Sequence, residues 1–466
     1  MRSPDRLSNV RAGSLQVEDV LDAVRNAAEA TGIETYLVGG FVRDRLTGHG
    51  GKDIDLVTVG SDGIPVLEHV ARELGWSRPQ TFERFGTGQI RGDDFIVEVV
   101  RARAERYDPE SRKPDVRPGT LEDDVRRRDF TVNALCQTLD GRIIDITGQG
   151  IADLRRGVLR TPLPPRETFS EDPLRMLRAA RFTAQLGFRV VDGIVDAIRQ
   201  EAPRITIVSV ERITDELRRL MTAAHPSHGF ALLRNGGLLR LILPEVEAMI
   251  GVEQGGYHIH DVYDHTMQAL DAAPRDLITR AGVLFHDVGK PPTHALSADG
   301  RHTFYEHAQV GAAITRDVLT RLRFSNDEVD AVAQLVKLHL RPIQYEETSF
   351  SDTAVRRLIR DAGDLRHRML DVARADTNAS SFPSTAGIDE LQTRMALLDA
   401  GGQVSHLRDP LTGDEIMSMA GRGPGPWVGK VKQAIRDAVL DGDIAAGDAD
   451  AARAWLRARP ELLQPE

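Results

Sequence analysis

Apolar residues in the first 155 positions recur at two periods. Short runs at Tyr36 to Val38, Ile54 to Val59, Phe95 to Val100 and Ile143 to Ile146 read as strands, with helical patterns between them. From Thr161-Pro162-Leu163-Pro164-Pro165 onward the strand signals fade and helical periodicity takes over, so this Pro-rich stretch predicts the first boundary. An apolar helix is expected over Leu277 to Phe285. Beyond about Asn378 the chain is loop-rich and then helical to Glu466, with a break at Gly421-Arg422-Gly423-Pro424-Gly425-Pro426. No internal repeat is found. The predicted fold class is α+β: a mixed head over residues 1–160, then all-α regions at 161–250, 251–380 and 381–466.

The most informative chemistry sits between the first two strands. Thr35-Tyr36-Leu37-Val38 reads as a buried strand, after which Gly39 and Gly40 let the backbone turn and approach a ligand before Phe41 to Leu46 begin a helix. Amides at such a helix start can hold a phosphate, and Arg43, one turn in, can pair with it. On the next strand Asp53 and Asp55 lie two residues apart, so both carboxylates project from one face. Hard oxygen ligands suit Mg²⁺, which takes one or two protein carboxylates and completes its shell with water and phosphates. The combination implies nucleotidyl transfer assisted by metal.

Composition narrows the setting. The chain has 466 residues, 41% of them hydrophobic, which is enough for about three domains. No stretch approaches the apolar length of a membrane span, and Met1 to Gly13 lacks the apolar core of a signal peptide, so a cytoplasmic protein is expected. The single cysteine, Cys136, excludes an intramolecular disulfide and a cysteine-based zinc knuckle, and is expected to be buried and structural. A net charge of −10 argues against a uniformly basic coat, so any RNA contact must come from local arginine clusters.

Three further patterns carry polar chemistry. Glu98 interrupts the apolar strand Phe95 to Val100, and a buried carboxylate needs a metal or a partner such as arginine. In Glu171-Asp172-Pro173-Leu174-Arg175-Met176-Leu177-Arg178-Ala179-Ala180-Arg181-Phe182, three arginines recur every three residues of a helix that Pro173 starts. They repel one another unless anions or carboxylates face them. A carboxylate such as Asp172 accepts from an exocyclic amine, while a guanidinium such as Arg175 donates to ring acceptors, so the pair favours CTP and ATP. Ten of the fourteen histidines lie between His225 and His339, territory that begins near Gly255-Gly256. There His265, His286-Asp287, His307, His339 and, farther on, Asp376 offer imidazole and carboxylate ligands suited to Mn²⁺, Fe²⁺, Co²⁺, Ni²⁺ or Zn²⁺.

These motifs together resemble the DNA polymerase β superfamily of nucleotidyltransferases, and within it the bacterial tRNA nucleotidyltransferase and poly(A) polymerase family (class II), followed by an HD phosphohydrolase domain. The resemblance covers residues from about 33 to 380. It implies a polymerase β-like head at 1–160, a helical neck and RNA-binding region at 161–250, an HD domain at 251–380 and a mostly helical C-terminal region at 381–466. It also implies tRNA, CTP and ATP as partners, with neither DNA nor a membrane. Within the resemblance Glu98 matches the third acidic residue beside Asp53 and Asp55. Arg128, in Arg126-Arg127-Arg128-Asp129-Phe130-Thr131-Val132-Asn133-Ala134, matches a nucleotide-contacting arginine, with Asn133 in support. Asp172 and Arg175 match the base-reading pair, Arg178 and Arg181 the phosphate contacts, and Glu211 and Arg212 a brace for the recognition helix. His265, His286, Asp287 and Asp376 match HD metal ligands, with His307 and His339 at second-metal or substrate positions. The segment Glu105 to Pro114 looks like the flexible loop of members that add the terminal adenosine. A poly(A) polymerase, a protein working mainly through its HD site and a non-catalytic RNA-binding protein stay open as alternatives.

Overall fold

The computed structural model describes residues 15–82, 86–106, 115–254, 260–346, 350–381, 384–400, 409–445 and 447–464. Gly255-Gly256 and positions 107–114 of the expected flexible loop lie outside the described residues. Two compact units are present, one formed by residues 1–209 with 231–238, the other by 210–230 with 239–466. Among the described residues no helix is long and apolar enough to cross a membrane.

The first unit is built on strands β1 (Thr35–Val38), β2 (Asp53–Thr58), β3 (Gln80–Phe82), β4 (Thr87–Gly92), β5 (Phe95–Arg101), β6 (Arg103–Arg106), β7 (Asp115–Pro118), β8 (Cys136–Thr138) and β9 (Ile143–Ile144). Seven of them form one sheet in the order β3-β4-β5-β2-β1-β8-β9, while β6 and β7 pair separately. Only β2 and β5 run parallel; the other neighbours in the large sheet are antiparallel. Strand alternation decides what each face carries. Ile54 and Leu56 of β2, with Val97 and Val99 of β5, join Val20, Val24, Val66 and Val70 of helices Val17–Thr31 and Ile64–Leu74 in one core. The intervening residues Asp53, Asp55, Val57, Glu98 and Val100 therefore face the other way, where Val57 packs with Val38, Val125, Ala134 and Cys136. Cys136 is free and buried there, as composition predicted.

Two element boundaries differ from the pattern reading. The helix after β1 starts at Gly39 rather than Phe41, because Gly39 has φ +74° and turns the chain within the helix's first residue. Strand β9 stops at Ile144, since Asp145 opens a turn in which it accepts from Thr147 Oγ1 and from the Gly148 amide. Past the sheet, Pro165 begins helix Pro165–Glu171, Asp172 breaks it in extended conformation, and Pro173 precedes helix Leu174–Leu186.

Among its described residues the second unit is helical apart from a short hairpin of β12 (His294–Leu296) and β13 (His302–Phe304); a two-residue parallel pair, β10 (Val158–Leu159) with β11 (Arg189–Val190), belongs to the first unit. Its helices include Val210–Met221, Val262–Ala272, Leu277–Phe285, His307–Arg321, Asn326–Leu338, Asp352–Ala362 and Arg366–Asn378. Asp261, Asp276, Ser325 and Ser351 cap four of these through side-chain oxygens, satisfying amides that would otherwise stay unbonded. Glu211 and Arg212 are exposed on helix Val210–Met221. A separate apolar cluster from Leu411 to Leu456 gives the C-terminal helices a core of their own, and Gly421 ends one helix in left-handed conformation before Pro426 begins the next.

Candidate active site and metal centre

In the head, Asp53, Asp55 and Glu98 share the sheet face turned away from the packing helices. The parallel β2–β5 register sets Asp55 opposite Glu98 and Asp53 opposite Ile96. Among the described residues no lysine or arginine makes an ion pair with Glu98. Burial raises the Asp55 carboxyl to about 6, and Glu98 and Asp53 push it the same way, outweighing Arg128 and Arg43. Asp53, Asp55 and Glu98 could together hold a divalent cation, with Arg128 and Arg43 as the nearby positive charges.

The Gly39 turn lies against that cluster. A Cβ at Gly39 would come within 3.2 Å of both Asp55 Oδ2 and Arg128 Nη1, so the bare backbone is needed for space as well as for its positive φ. Arg43, 4% exposed, donates from Nη1 to Asn133 Oδ1 at 2.6 Å and from Nε and Nη2 to Asp44 at 2.7 and 2.9 Å. Arg128 donates from Nε and Nη2 to Asp124 Oδ2 at 3.1 and 2.9 Å and from Nη1 to the Asn133 carbonyl at 3.3 Å. Asp124 is fully buried and also binds Arg127; burial opposes its ionisation, but the two arginines hold its carboxyl below the usual range. Asp124 carried no mark in the sequence reading beyond its spacing of four residues from Arg128, which lies just past the end of helix Leu121–Arg126.

The arginine stripe is partly answered by carboxylates of the chain itself. Arg178 donates to Asp129 Oδ2 at 2.7 Å, and Asp129 Oδ1 accepts from Asn133 Nδ2 at 3.1 Å and from the Phe130 amide at 2.8 Å. Arg175 is buried, with Nη1 on Thr168 O and Glu171 Oε2 and Nη2 on Arg127 O. Asp172 accepts from the Leu174 amide at 3.1 Å at the head of the same helix. Arg181 stacks on Phe182. Phe182, which an eye searching for polar chemistry passes over, also lies beneath Arg43 and Arg178.

The second site gathers every candidate residue into two adjoining groups. His265, His286 and Asp376 form one, and Asp287, His307 and His339 the other, each with donor atoms within 4.8 Å of one another. His265 Nε2 is 3.0 Å from Asp376 Oδ1; His286 Nε2 is 3.2 Å from Asp287 Oδ2 and 3.8 Å from Asp376 Oδ1. Asp287 Oδ1 lies 3.6 Å from His307 Nε2 and 3.9 Å from His339 Nε2. Each ring is oriented through its other nitrogen, with Nδ1 of His286, His307 and His339 on the carbonyls of Val283, Phe304 and Val336. Burial disfavours a charged His286, yet Asp287 and Asp376 outweigh it and raise the ring to about 9. His339 goes the other way, to about 4, from burial and from the His286 charge. The buried His286 Nε2 makes no well-aligned hydrogen bond, which fits an atom waiting for a metal in place of its proton. Lys290 Nζ bonds Asp287 Oδ2 at 2.7 Å, a contact the motif alone did not suggest. Backbone sets the frame: a Cβ at Gly289 would fall 2.1 Å from His307 O and 2.6 Å from Gly311 N.

Known proteins share this arrangement of regions. Profiles for the poly A polymerase head domain, the probable RNA and SrmB- binding site of polymerase A and the HD domain match residues 35–160, 187–250 and 255–378. An A-adding tRNA nucleotidyltransferase of Deinococcus radiodurans is 36% identical over 436 residues, covering 90% of this chain and 94% of the relative. This chain belongs to the tRNA nucleotidyltransferase family. It is a nucleotidyltransferase with an RNA-binding region and an HD domain. A CC-adding tRNA nucleotidyltransferase of Thermus thermophilus is 33% identical over 443 residues, covering 91% of this chain and 93% of its own. Among solved structures, the Bacillus stearothermophilus CCA-adding enzyme in complex with CTP shares the fold with a TM-score of 0.67 at 23% identity, covering 96% of this chain and all of that one.

The raised Asp55 carboxyl makes a testable pH signature. Its folded value of about 6 exceeds the ordinary 3.8, so the folded chain binds the proton more tightly. The resulting stabilisation is fully present below about pH 4 and lost as pH rises through about 6. Metal competes with that proton. Mg²⁺ affinity of the head is expected to fall about tenfold per pH unit below 6, read by calorimetric titration, and a flat profile from pH 7 to 5 would refute the assignment.

Proposed function

We propose that the chain extends tRNA 3′ ends without a nucleic-acid template, building or repairing CCA from CTP and ATP and releasing pyrophosphate. The observation that carries this reading is the three-carboxylate face of Asp53, Asp55 and Glu98 set against the Gly39 turn and Arg128, in a chain aligned over 90% of its length with a tRNA nucleotidyltransferase. Asp53, Asp55 and Glu98 would hold Mg²⁺, which when bound makes the tRNA 3′ hydroxyl a better nucleophile and neutralises charge on the departing pyrophosphate. Gly40, Arg43 and Arg128 supply donors to the triphosphate, with Gly39, whose amide donates to the Leu135 carbonyl, giving it room, Arg178 and Arg181 completing the set and Asn133 fixing Arg43. Asp172 accepts from the exocyclic amine of cytosine or adenine. Arg175, with three of its five N–H groups committed to Thr168, Glu171 and Arg127, keeps two for ring acceptors of the base. Such work belongs in the cytoplasm.

Relatives of similar identity are named A-adding and CC-adding tRNA nucleotidyltransferases, so the product must be read directly. The test gives the protein tRNA ending at the discriminator base, or at CC, with labelled CTP and ATP together and separately. Two cytidines followed by one adenosine supports CCA addition. Adenosine placed only on the CC-ended tRNA replaces it with an A-adding activity, and open-ended adenosine tails with a poly(A) polymerase. No incorporation overturns the reading.

A second activity is favoured by the two buried ligand groups of the HD region. His265, His286 and Asp376 would hold one divalent ion such as Mn²⁺, Ni²⁺, Co²⁺ or Fe²⁺; Asp287, His307 and His339 suit a second ion or the substrate. The chemistry is hydrolysis of phosphate esters at RNA ends, such as 2′,3′-cyclic phosphates or 2′-phosphates.

A further inference from the structure

Three guanidinium groups converge on one aromatic ring in the head unit. The Arg181 guanidinium carbon is 4.1 Å from the Phe182 centroid, and those of Arg43 and Arg178 are each at 5.4 Å. Arg43 comes from the helix that begins at the Gly39 turn; Arg178 and Arg181 come from helix Leu174–Leu186. The ring is 5% exposed and is itself held edge-on by Phe130, at 5.9 Å and 84°. All three cations fall inside the roughly 6 Å range in which a ring quadrupole attracts charge, and burial strengthens that attraction. Arg43 is anchored by Asn133 and Asp44 and Arg178 by Asp129, and the Phe182 ring lies within reach of all three guanidinium groups. Mutual repulsion would spread them. A leucine would keep the site apolar, though smaller, and offer no negative face.

We propose that Phe182 is a positioning residue for the triphosphate: its ring gathers Arg43, Arg178 and Arg181 into one preorganised set of donors for phosphate oxygens. The inference rests on the nucleotidyl-transfer reading and adds to it the residue that holds the phosphate clamp together. Because the effect is on donors shared by any nucleotide, it acts alike on CTP and ATP and also on a bare polyphosphate.

The test uses the full-length protein with Phe182→Leu and with a series of ring-fluorinated phenylalanines at 182, which weaken the quadrupole at nearly constant shape. Expected for Phe182→Leu is a rise of about tenfold in KM for both nucleotides and in the Ki of tripolyphosphate, with kcat within about twofold and KM for tRNA unchanged. Along the fluorinated series KM and Ki should climb with each fluorine while the melting temperature stays level. Unchanged KM and Ki in that series, with normal incorporation by the unaltered protein, overturn the role of Phe182 alone. A protein that adds no nucleotide overturns the transferase reading instead, and calorimetric binding of tripolyphosphate then still reports whether the ring organises an anion site; no binding overturns this inference too.

Discussion

Asp55→Ala should lower nucleotide incorporation into tRNA by about a thousandfold or more, because it removes the carboxylate that lies against both the Gly39 turn and Arg128 and in register with Glu98. The same substitution should leave the phosphohydrolysis proposed for the HD site within about twofold. A second consequence follows from the raised carboxyl. Near neutral pH an ionised Asp55 is costly to the metal-free fold, so Asp55→Asn, which keeps the shape and removes the charge, should melt at a higher temperature than the unaltered protein in chelator. Excess Mg²⁺ should narrow that gap, since the cation stabilises only the chain that can bind it. Incorporation that survives Asp55→Ala, or an Asn variant that melts lower in chelator, would remove Asp55 from the centre of the site.

The second large effect concerns Asp287. Its two oxygens face different partners, Oδ2 toward His286 and Lys290 and Oδ1 toward His307 and His339. Asp287→Ala should abolish metal-dependent hydrolysis of 2′,3′-cyclic nucleotides while tRNA extension persists. It should also destabilise the metal-free chain, since the buried Lys290 loses a carboxylate and His286 loses one of the two that keep it charged. Chelation followed by Mg²⁺ alone should restore extension but not hydrolysis, whereas Mg²⁺ together with Mn²⁺, Ni²⁺, Co²⁺ or Fe²⁺ should restore both. Hydrolysis retained by Asp287→Ala, measured with purified full-length protein, would assign the activity elsewhere.

What could be seen in the chain alone depended on sequence distance. The strand Asp53 to Thr58 announced its two faces because Ile54 and Leu56 alternate with Asp53 and Asp55, a local rule. That Glu98 would stand beside Asp55 depended on the parallel pairing of β2 with β5, a register no local pattern states; the resemblance supplied it. Arg178 and Asp129 are 49 positions apart, so the carboxylate answering that arginine was invisible from the stripe. The histidine set was legible as a set. Its division into two groups was not, because helices that meet only in the folded chain bring His265 to Asp376 and His307 to His339. Phe182 was read past for a different reason: it has no polar atom, and its effect lies in the shape of its electron cloud.

The close approach of Gly289 to His307 and Gly311 bears on how the HD site can change over evolutionary time. With main chain pressed on main chain, the spacing between Asp287 and His307 is set by two glycines and hardly at all by the bulk of neighbouring side chains. Descendants of this chain can exchange a donor atom, an imidazole for a carboxylate, without disturbing that span. Widening it would require parting main chain from main chain, so the choice of donor atoms has room to drift while the reach of the site is held by the backbone.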